Sequence, residues 1–274
     1  MKDYGLVSII MPNYYGERYI AAAIESVVAQ TYTHWELLIQ DDMSTDDSME
    51  IALRYAENDK RIKVQRNEIH SGAALTRNKA IQRSNGNFLA FLDSDDLWLP
   101  EKLEKQLRFM DENACDFAYT AYEEIAFDGT PLLTKITVKR NLSYQDMLFQ
   151  NWPGCLTVMY RQDVEHKIYG EDVPSNNDRA LFLKVLRQTN NAMGMDDCLA
   201  LYRRRQGSIS RNKVKMVKNV VKVIHKFEGH SLVKTWICMI HQFFVKIFFK
   251  RKRIQKENSY AIKYQGNEYL INNI

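Results

Sequence analysis

The first hundred residues alternate between short apolar runs and segments with helical spacing. Apolar runs occupy residues 6–12 (LVSIIMP), 35–40 (WELLIQ), 62–67 (IKVQRN) and 87–92 (NFLAFL). Between them, GERYIAAAIESVVAQTY, SMEIALRYAEN and GAALTRNKAIQRS repeat apolar residues at helical intervals. Strands that alternate with helices predict an α/β fold, in which a parallel sheet carries helices on both faces.

Polar clusters follow the first, second and fourth predicted strands at the point where each strand ends. The three segments are PNYYGE, DDMSTDD and DSDDLW. In an open parallel sheet, ligands bind in the crevice beyond the carboxyl ends of the strands. The sequence therefore predicts that these three loops converge on one binding edge.

The third loop places Asp93, Asp95 and Asp96 directly behind an apolar run. Carboxylates this close raise one another's pKa, and a buried carboxylate is costly unless it is paired. Hard cations such as Mg²⁺ or Mn²⁺ prefer oxygen ligands and commonly share one or two carboxylates with substrate phosphates. The alternative interpretation is an Asp-rich turn that only caps the following helix, LPEKLEKQLRF.

Other common routes to phosphate or metal chemistry are missing from the sequence. It contains no GxxxxGKS or GxxxxGKT phosphate loop, no GxGxxG after the first strand and no HExxH. The four cysteines are far apart and form no CxxC pair, which argues against a zinc site or a disulfide framework. A phosphate-bearing ligand would therefore depend on the acidic cluster and a cation.

The alternation loosens from about residue 115. Strands are predicted at DFAYTAYEEI and CLTVMYR, and helices at SYQDMLFQ and DRALFLKVLRQ. We interpret residues 1–211 as one domain, whose first half (about 1–110) holds the binding edge and whose second half (about 111–211) shapes the pocket for a second substrate. Residues 212–274 form a separate basic, helical tail.

The net charge of +4 conceals a polarised chain. From residue 213 to residue 257 there are roughly twelve Lys or Arg residues but only two acidic ones, which leaves a segment near +10 and a remainder near −6. No basic recognition motif accompanies this charge, so nucleic-acid binding is not predicted.

The tail contains an apolar stretch, HSLVKTWICMIHQFFVKIFFKRKRIQK, which Lys234, His241 and Lys246 interrupt too often for a spanning helix. On a helical wheel its polar residues lie mostly on one side and its aromatic and aliphatic residues on the other. Residues 231–256 are therefore predicted to lie in an anionic membrane surface. The alternative is that this helix packs on the body of the protein or across a dimer interface, so the sequence allows an oligomer.

The N-terminus, MKDYGLVSIIMPNYYG, lacks the architecture of a signal peptide. The thiols are expected to be reduced, as in a cytosolic protein. We therefore expect a cytoplasmic protein that is peripheral on the inner face of the cytoplasmic membrane.

Four blocks in order resemble the family 2 glycosyltransferases: VSIIMPNYYGERYIAAAIESVVAQTY, WELLIQDDMSTDDS, TRNKAIQRSNGNFLAFLDSDD and LWLPEKLEKQ. They cover nearly all of residues 6–106, and their order and spacing are specific although each block alone is weak. The resemblance implies a GT-A fold, a Rossmann-like, mixed but mainly parallel sheet flanked by helices, here with a C-terminal helical extension. It also implies sugar transfer from a nucleotide-diphosphate sugar with inversion at the anomeric carbon, assisted by a divalent metal, Mn²⁺ or Mg²⁺.

The resemblance carries roles onto matching residues of this sequence. Asp42, in the DDMS block, is the expected partner of the uracil N3–H, and Met43 replaces the glycine usual in the family. Arg77 matches an arginine expected at the diphosphate or at the acidic site. The full set implied for the nucleotide sugar is Pro12, Asn13, Tyr14, Glu17, Asp41, Asp42, Arg77, Asp93, Ser94, Arg203, Arg204 and Ser208.

The DSDD segment matches the family's D-x-D block. Asp95 is the expected first metal ligand, Asp93 faces the ribose or the metal, and Asp96 competes as a ligand. The family's catalytic base is the second residue of an acidic pair that opens a helix. Asp178 fits that register, with an asparagine before it in place of the usual glutamate, and Asp172 in GEDVPS is the alternative.

The predicted function is that of an inverting, metal-dependent hexosyltransferase. It would move a sugar, expected to be UDP-linked, to a lipid-linked glycan acceptor in the synthesis of a bacterial surface polysaccharide such as O-antigen or capsule. A sugar-phosphate nucleotidyltransferase and a non-catalytic sugar-binding or scaffold protein with the same fold are the alternatives. The products distinguish the three functions. A glycosyltransferase would release nucleoside diphosphate, a nucleotidyltransferase would release pyrophosphate, and a non-catalytic protein would release neither.

Overall fold

The computed structural model of the protein describes residues 2–189, 191–204, 213–248 and 252–265. The strands are β1 (Val7–Asn13), β2 (Trp35–Asp41), β3 (Ile62–Arg66), β4 (Phe88–Phe91), β5 (Leu97–Trp98), β6 (Phe117–Ile125), β7 (Pro131–Ile136), β8 (Met159–Arg161), β9 (Ala192–Arg203) and β10 (Lys252–Arg253). The α-helices are α1 (Ile20–Val28), α2 (Ser48–Asn58), α3 (Gly72–Gln82), α4 (Lys102–Glu112), α5 (Tyr144–Phe149), α6 (Asn177–Gln188), α7 (Lys213–Val221), α8 (Leu232–Phe248) and α9 (Tyr260–Gln265).

The described strands form one mixed sheet. β1 pairs in parallel with β2 and β4, and β2 pairs in parallel with β3, which gives the order β3-β2-β1-β4. On the other side of β4, β8 runs antiparallel to both β4 and β6, while β6 is antiparallel to β7 and parallel to β9. The predicted parallel α/β core is confirmed for the first half, and the second half extends it with mostly antiparallel pairing.

Helices cover both faces of the parallel strands. In β1, Val7, Ile9 and Met11 pack in one core with residues of α1, α2 and α4. Ile10 points to the opposite face and packs in a second core with residues of α3, α5 and α6. Because successive side chains of a strand alternate between the two faces, a strand that is buried on both is largely apolar. This explains the mainly apolar sequences of β1, β2 and β4. The buried polar residues Ser8 and Glu36 are hydrogen-bonded to each other at 2.6 Å.

The predicted strand CLTVMYR is only partly a strand. Its first residues form a 3₁₀ turn, Cys155–Thr157, and only Met159–Arg161 pairs in the sheet. The Thr157 N–H and hydroxyl both donate to the Gly154 carbonyl, at 2.9 and 2.7 Å. The turn thus satisfies its polar groups locally and does not need a partner strand.

The described part of the tail packs against the body. Val223, Ile224 and Cys238 are buried in the same core as α6, and β10 pairs antiparallel with β7. The Glu123 carboxylate accepts hydrogen bonds from the Ser259 hydroxyl and from two backbone N–H groups in the first turn of α9. Among the helices that the structure describes, none is long and apolar enough to cross a bilayer. The domain boundary near residue 211 stays a prediction.

Lys102, at the start of α4, is buried beside the first core. Its side chain is 0% exposed, and its ammonium lies 3.8 Å from the centroid of the Trp98 ring. Among the described residues its Nζ has no hydrogen-bond partner. Burial therefore lowers the pKa of Lys102 well below its ordinary value, since an ammonium in an apolar environment loses its hydration.

We expect Lys102→Met to raise the free energy of unfolding by about 1–2 kcal/mol at pH 8. Between its lowered native pKa and the ordinary value of 10.5, Lys102 binds a proton in the unfolded chain but not in the native one. The penalty therefore shrinks as the pH rises, and so does the advantage of the variant between pH 8 and pH 10. Urea unfolding at both pH values measures it.

Lys105→Met is the matched control, because Lys105 lies on the same helix and pairs at 2.6 Å with Glu101 near the surface. Its stability should change by less than about 0.5 kcal/mol. A Lys102→Met protein that is less stable than the wild type would contradict the burial argument.

Candidate active site

The carboxyl ends of β1, β2 and β4 lie side by side at one edge of the sheet. Asn13, the last residue of β1, is in register with Asp41, the last residue of β2. β4 ends at Phe91, two residues before Asp93. The three polar loops therefore meet at one edge, because parallel neighbouring strands end on the same side.

The loops after β1 and β2 are tied together by a buried amide–carboxylate pair. The Asn13 Nδ2 donates to one Asp41 oxygen at 2.7 Å and to the Ser48 hydroxyl at 2.9 Å. The Ser44 N–H donates to the other Asp41 oxygen at 2.9 Å. Asn13 and Asp41 are both buried. The structure thus places these two predicted nucleotide residues behind the loop surface, where they fix the loops.

Aromatic rings cover the same loops on the solvent side. Tyr14 and Tyr15 are 47% and 48% exposed, and their ring centroids are 4.6 Å apart. The His70 ring lies 4.7 Å from the Tyr14 ring. Pro12 is partly buried and Glu17 is exposed. Planar rings that are open to solvent offer a face on which a nucleotide base can stack.

Asp42 anchors the N-terminus of α3. One carboxylate oxygen accepts from the Ser71 N–H and the Asn67 amide, each at 2.7 Å, and the other accepts from the Gly72 N–H at 2.8 Å. The His70 Nδ1 is 3.0 Å from this second oxygen. Burial opposes the charge of Asp42, but these donors outweigh it and lower the pKa of the carboxyl. The predicted base-binding carboxylate thus already has protein donors on both oxygens.

Two backbone positions shape the loops. Met43 has φ +67°, a left-handed conformation that glycine adopts at much lower cost. This is the position at which the resemblance implies glycine, so the backbone geometry is kept although the residue differs. Gly16 has no room for a side chain, since a Cβ there would lie 2.1 Å from the Asn13 Oδ1 and 3.0 Å from the Ser94 hydroxyl.

The acidic turn alternates between open and buried residues. Asp93 and Asp95 are partly exposed, whereas Ser94 and Asp96 are buried. One Asp96 oxygen accepts from the Arg203 N–H at 2.8 Å, and the Arg203 Nε donates to the Asp95 carbonyl at 2.9 Å. Burial, reinforced by the charges of Asp95 and Asp93, raises the pKa of Asp96 well above its ordinary value.

This turn has the chemistry of a cation site. A buried carboxylate with a raised pKa beside two further carboxylates is a local excess of negative charge, which a divalent cation would relieve. All candidate ligands are oxygen atoms, as Mg²⁺ and Mn²⁺ prefer. Within the described residues, no three His, Cys, Asp or Glu side chains are already arranged as a metal-ligand set.

Arg77, on α3, joins the acidic turn to the start of α6. It is 5% exposed, and its Nη2 donates to the Asp93 carboxylate at 3.1 Å. Its Nη1 donates to the Asn177 Oδ1 at 2.6 Å. Burial by itself lowers the pKa of Arg77, but the acidic groups around it, including Asp93 and Asp178, more than offset this and raise it.

Cys155 is a further residue of this cluster. Burial raises the pKa of its thiol well above the ordinary value, and the charges of Asp93 and Asp178 add to this while Arg77 opposes it. The thiol of the 3₁₀ turn thus interacts electrostatically with both the acidic turn and the first turn of α6.

The two base candidates lie in different surroundings. Asp178 is partly buried in the first turn of α6 and interacts electrostatically with Arg77. Asp172 is exposed, and its backbone carbonyl accepts from the Lys222 Nζ at 3.3 Å. Its neighbour Glu171 pairs with Lys184 at 2.5 Å. Of the two carboxylates, Asp178 is thus the one that the described contacts connect to the acidic turn.

The residues after β9 continue beside the acidic turn. Arg203 is 4% exposed and bonded to the turn as described above. Arg204 pairs at 2.5 Å with Glu124. Burial raises the pKa of Glu124, although the charge of Arg204 acts to lower it. Ser208 lies outside the described residues.

Three residues of this edge were not predicted from the sequence: Asn67, His70 and Cys155. Asn67 directly follows β3, so the strand-end argument that found the other loops would have found it too. His70 and Cys155 carry no local signal, because each reaches the site through a turn whose course depends on tertiary contacts.

The family model of glycosyl transferase family 2 matches residues 8–205. TuaG of Bacillus subtilis, named for teichuronic acid biosynthesis, is 43% identical over 236 residues, which cover 86% of this chain and 93% of that protein. WfgD of Escherichia coli is 38% identical over 240 residues, which cover 87% and 92%. Its name describes a UDP-glucose:α-D-GlcNAc-diphosphoundecaprenol β-1,3-glucosyltransferase.

Solved structures share the fold. Staphylococcus aureus TarS 1–349, in complex with UDP-GlcNAc, matches with a TM-score of 0.65 and 22% identity over 80% of this chain and 66% of that one. A Pyrobaculum calidifontis mannosyltransferase with GDP-Man and Mn²⁺ matches with a TM-score of 0.62 and 15% identity over 82% and 64%. The match covers about two thirds of the TarS 1–349 fragment and of the mannosyltransferase chain, and the fold prediction is confirmed. The chain belongs to the family 2 glycosyl transferases.

Proposed function

We propose that the chain is an inverting glycosyltransferase that uses a UDP-linked sugar and a lipid-linked glycan acceptor in the synthesis of a bacterial surface polysaccharide. The observation that carries this is the arrangement of Asp178, Arg77 and the acidic turn at one edge of the sheet. The names of the relatives support the class of donor and acceptor. Tyr14 and His70 offer the stacking surface for the base.

Inversion follows from a single displacement. The acceptor hydroxyl oxygen forms a bond to the anomeric carbon on the face opposite the diphosphate, and the bond to the diphosphate oxygen breaks. The nucleoside diphosphate leaves with the electron pair. Asp178 accepts the proton of the attacking hydroxyl, which requires a carboxylate within hydrogen-bond reach.

We propose Asp95 and Asp93 as the residues that would hold a divalent cation, because both are partly exposed to solvent, whereas Asp96 is buried and accepts from the Arg203 N–H. A bound cation supplies a Lewis acid for the negative charge that develops on the leaving diphosphate. Asp96 holds the turn to β9 through the Arg203 N–H.

We propose further that α8 rests on an anionic membrane surface. The apolar stripe, defined as five exposed apolar side chains of α8, is more than half exposed throughout: Leu232 54%, Val233 70%, Trp236 59%, Ile237 52% and Ile240 54%. The buried side of the helix carries Thr235 and Cys238. Contiguous exposed apolar side chains beside basic residues such as Lys226 and Lys234 suit an interface with acidic lipids.

Asp178→Asn should lower kcat for nucleoside diphosphate release about 10²–10⁴-fold, because the asparagine cannot accept the acceptor proton. The variant should still bind UDP, which is measured as thermal stabilisation of the protein by UDP. Asp172→Asn is the matched control and should keep most of the activity. The reverse ranking of the two variants would assign the base to Asp172.

Removal of divalent metal with EDTA should abolish sugar transfer, and Mn²⁺ or Mg²⁺ should restore it. Thermal stabilisation by UDP should require the metal in the wild type and should be lost in Asp95→Asn, since a carboxamide is a much weaker ligand for a hard cation. Asp163→Asn, an exposed carboxylate paired with His166, is the control. Full UDP stabilisation of Asp95→Asn in the presence of Mn²⁺ would exclude Asp95 as a ligand.

Exchange of Trp236 and Ile240 for glutamate should lower cosedimentation with phosphatidylglycerol vesicles by about tenfold or more. The reason is that charged groups would replace apolar side chains that the membrane contact buries in lipid. Vesicles of phosphatidylcholine alone should bind the wild type weakly. Leu53→Glu, which changes an apolar residue of α2 that is 43% exposed, controls for added charge. Equal vesicle binding by the double variant and the wild type would refute the contact.

A further inference from the structure

The first turn of α6, which carries Asp178, is poorly fixed by its own residues. Asn176 precedes the helix with φ +60°, and its side chain makes no capping hydrogen bond. A left-handed asparagine is uncommon and mildly strained. Without a side-chain cap, the N–H groups of the first turn lack one of their usual partners in the described structure. The direction of Asp178 therefore depends on tertiary contacts.

Two such contacts flank Asp178 on either side in sequence. Before it, Asn177 accepts the hydrogen bond from the Arg77 Nη1 at 2.6 Å. After it, the buried Arg179 donates to the Met147 carbonyl at 3.2 Å and to the Leu148 carbonyl at 2.7 Å. The two residues that flank Asp178, Asn177 and Arg179, thus both fix the position of the first turn of α6.

The hydrogen bond to Asn177 also connects α6 to the part of the site that is proposed to bind the sugar donor. The same guanidinium donates to Asp93 at 3.1 Å, so that Arg77 joins residues that are 84 positions apart in sequence and belong to different halves of the fold. A guanidinium is planar, and its donors have fixed directions. Arg77 is 5% exposed, so it cannot shift freely between partners. The distance between Asp93 and the first turn of α6 is therefore set by one rigid group.

Asn177 suits this role without adding charge. Its Oδ1 accepts from Arg77, and its Nδ2 lies 3.5 Å from the Val173 carbonyl. The resemblance implies a glutamate at this position, which would be a second carboxylate on Arg77. With asparagine, Asp93 is the carboxylate to which Arg77 donates, and the hydrogen bond at residue 177 is neutral on the acceptor side.

We propose that Asn177 is a positioning residue for the transfer reaction. It accepts from Arg77 and thereby holds Asp178 at a fixed distance from the Asp93 end of the donor site. This inference rests on the proposed function, with Asp178 as the base. Asn177 contacts neither donor nor acceptor in this role, so its loss lowers kcat and leaves donor binding intact, because small misplacement of a catalytic group lowers the rate of the chemical step.

The test compares Asn177→Ala, Asn177→Ser and Asn177→Asp in the full chain, with UDP release from UDP-glucose and the other UDP-sugars as the readout. In Asn177→Ala, kcat should fall about 10- to 100-fold, while the donor KM and the thermal stabilisation by UDP with Mn²⁺ stay near wild-type values. Asn177→Asp should restore most of kcat, since its carboxylate oxygen can accept the same hydrogen bond. Gln188→Ala, at the exposed far end of α6, should match the wild type.

Several outcomes would overturn the proposal. A wild-type kcat in Asn177→Ala and Asn177→Ser would show that the hydrogen bond does not position the base. A raised donor KM with unchanged kcat would move Asn177 into donor binding. Loss of kcat in Asn177→Asp equal to that in Asn177→Ala would exclude the acceptor role. If the wild type releases no nucleoside diphosphate from any donor while UDP still stabilises it, the proposed function fails instead.

Discussion

The parallel pairing of β1 with β2 and β4 is the constraint on which the site depends. It requires strands that are largely apolar on both faces, and the two cores that result hold the strands in register. Because the three strands run in the same direction, the polar residues that follow them are delivered to one edge. The antiparallel half that begins after α4 adds α6 and β9 to that edge, so that both halves of the chain contribute to one site.

Carboxylates at this edge differ in how their charge is compensated. Asp41 is paired with Asn13, and Asp42 is surrounded by N–H donors, so both are bound by the protein itself. The acidic turn is different, since Asp96 is buried beside two further carboxylates and its pKa is raised. The first pair therefore stabilises loops, whereas the turn retains negative charge that a ligand can use. Adjacent acidic motifs of similar appearance thus have different physical roles.

Arginine side chains connect the parts of the chain that form the site. Arg77 joins the acidic turn to α6, Arg203 joins it to β9, and Arg179 joins α6 to α5 and α8. The last contact, in which the Arg179 Nη1 donates to the Gln242 Oε1 at 3.3 Å, links the helix proposed to rest on lipid to the helix that carries Asp178. The helix proposed to contact lipid is therefore connected through one side chain, Arg179, to the helix that carries the candidate base.

Apolar periodicity and strand-end motifs, which are local properties of the sequence, predicted the parallel α/β core and the convergence of the loops after β1, β2 and β4. The resemblance of four ordered blocks to the family 2 glycosyltransferases predicted the family. The left-handed conformation of Met43, with φ +67°, was found only in the structure, at the position where the resemblance implies glycine. Local patterns could not predict the 3₁₀ turn that brings Cys155 to the edge, the inward direction of Asp96, or the different surroundings of Asp178 and Asp172. The packing of the tail on the body was likewise left open by the amphipathic pattern. Only the tertiary structure decided these features, because each depends on a hydrogen bond or a buried contact between residues that are far apart in the sequence.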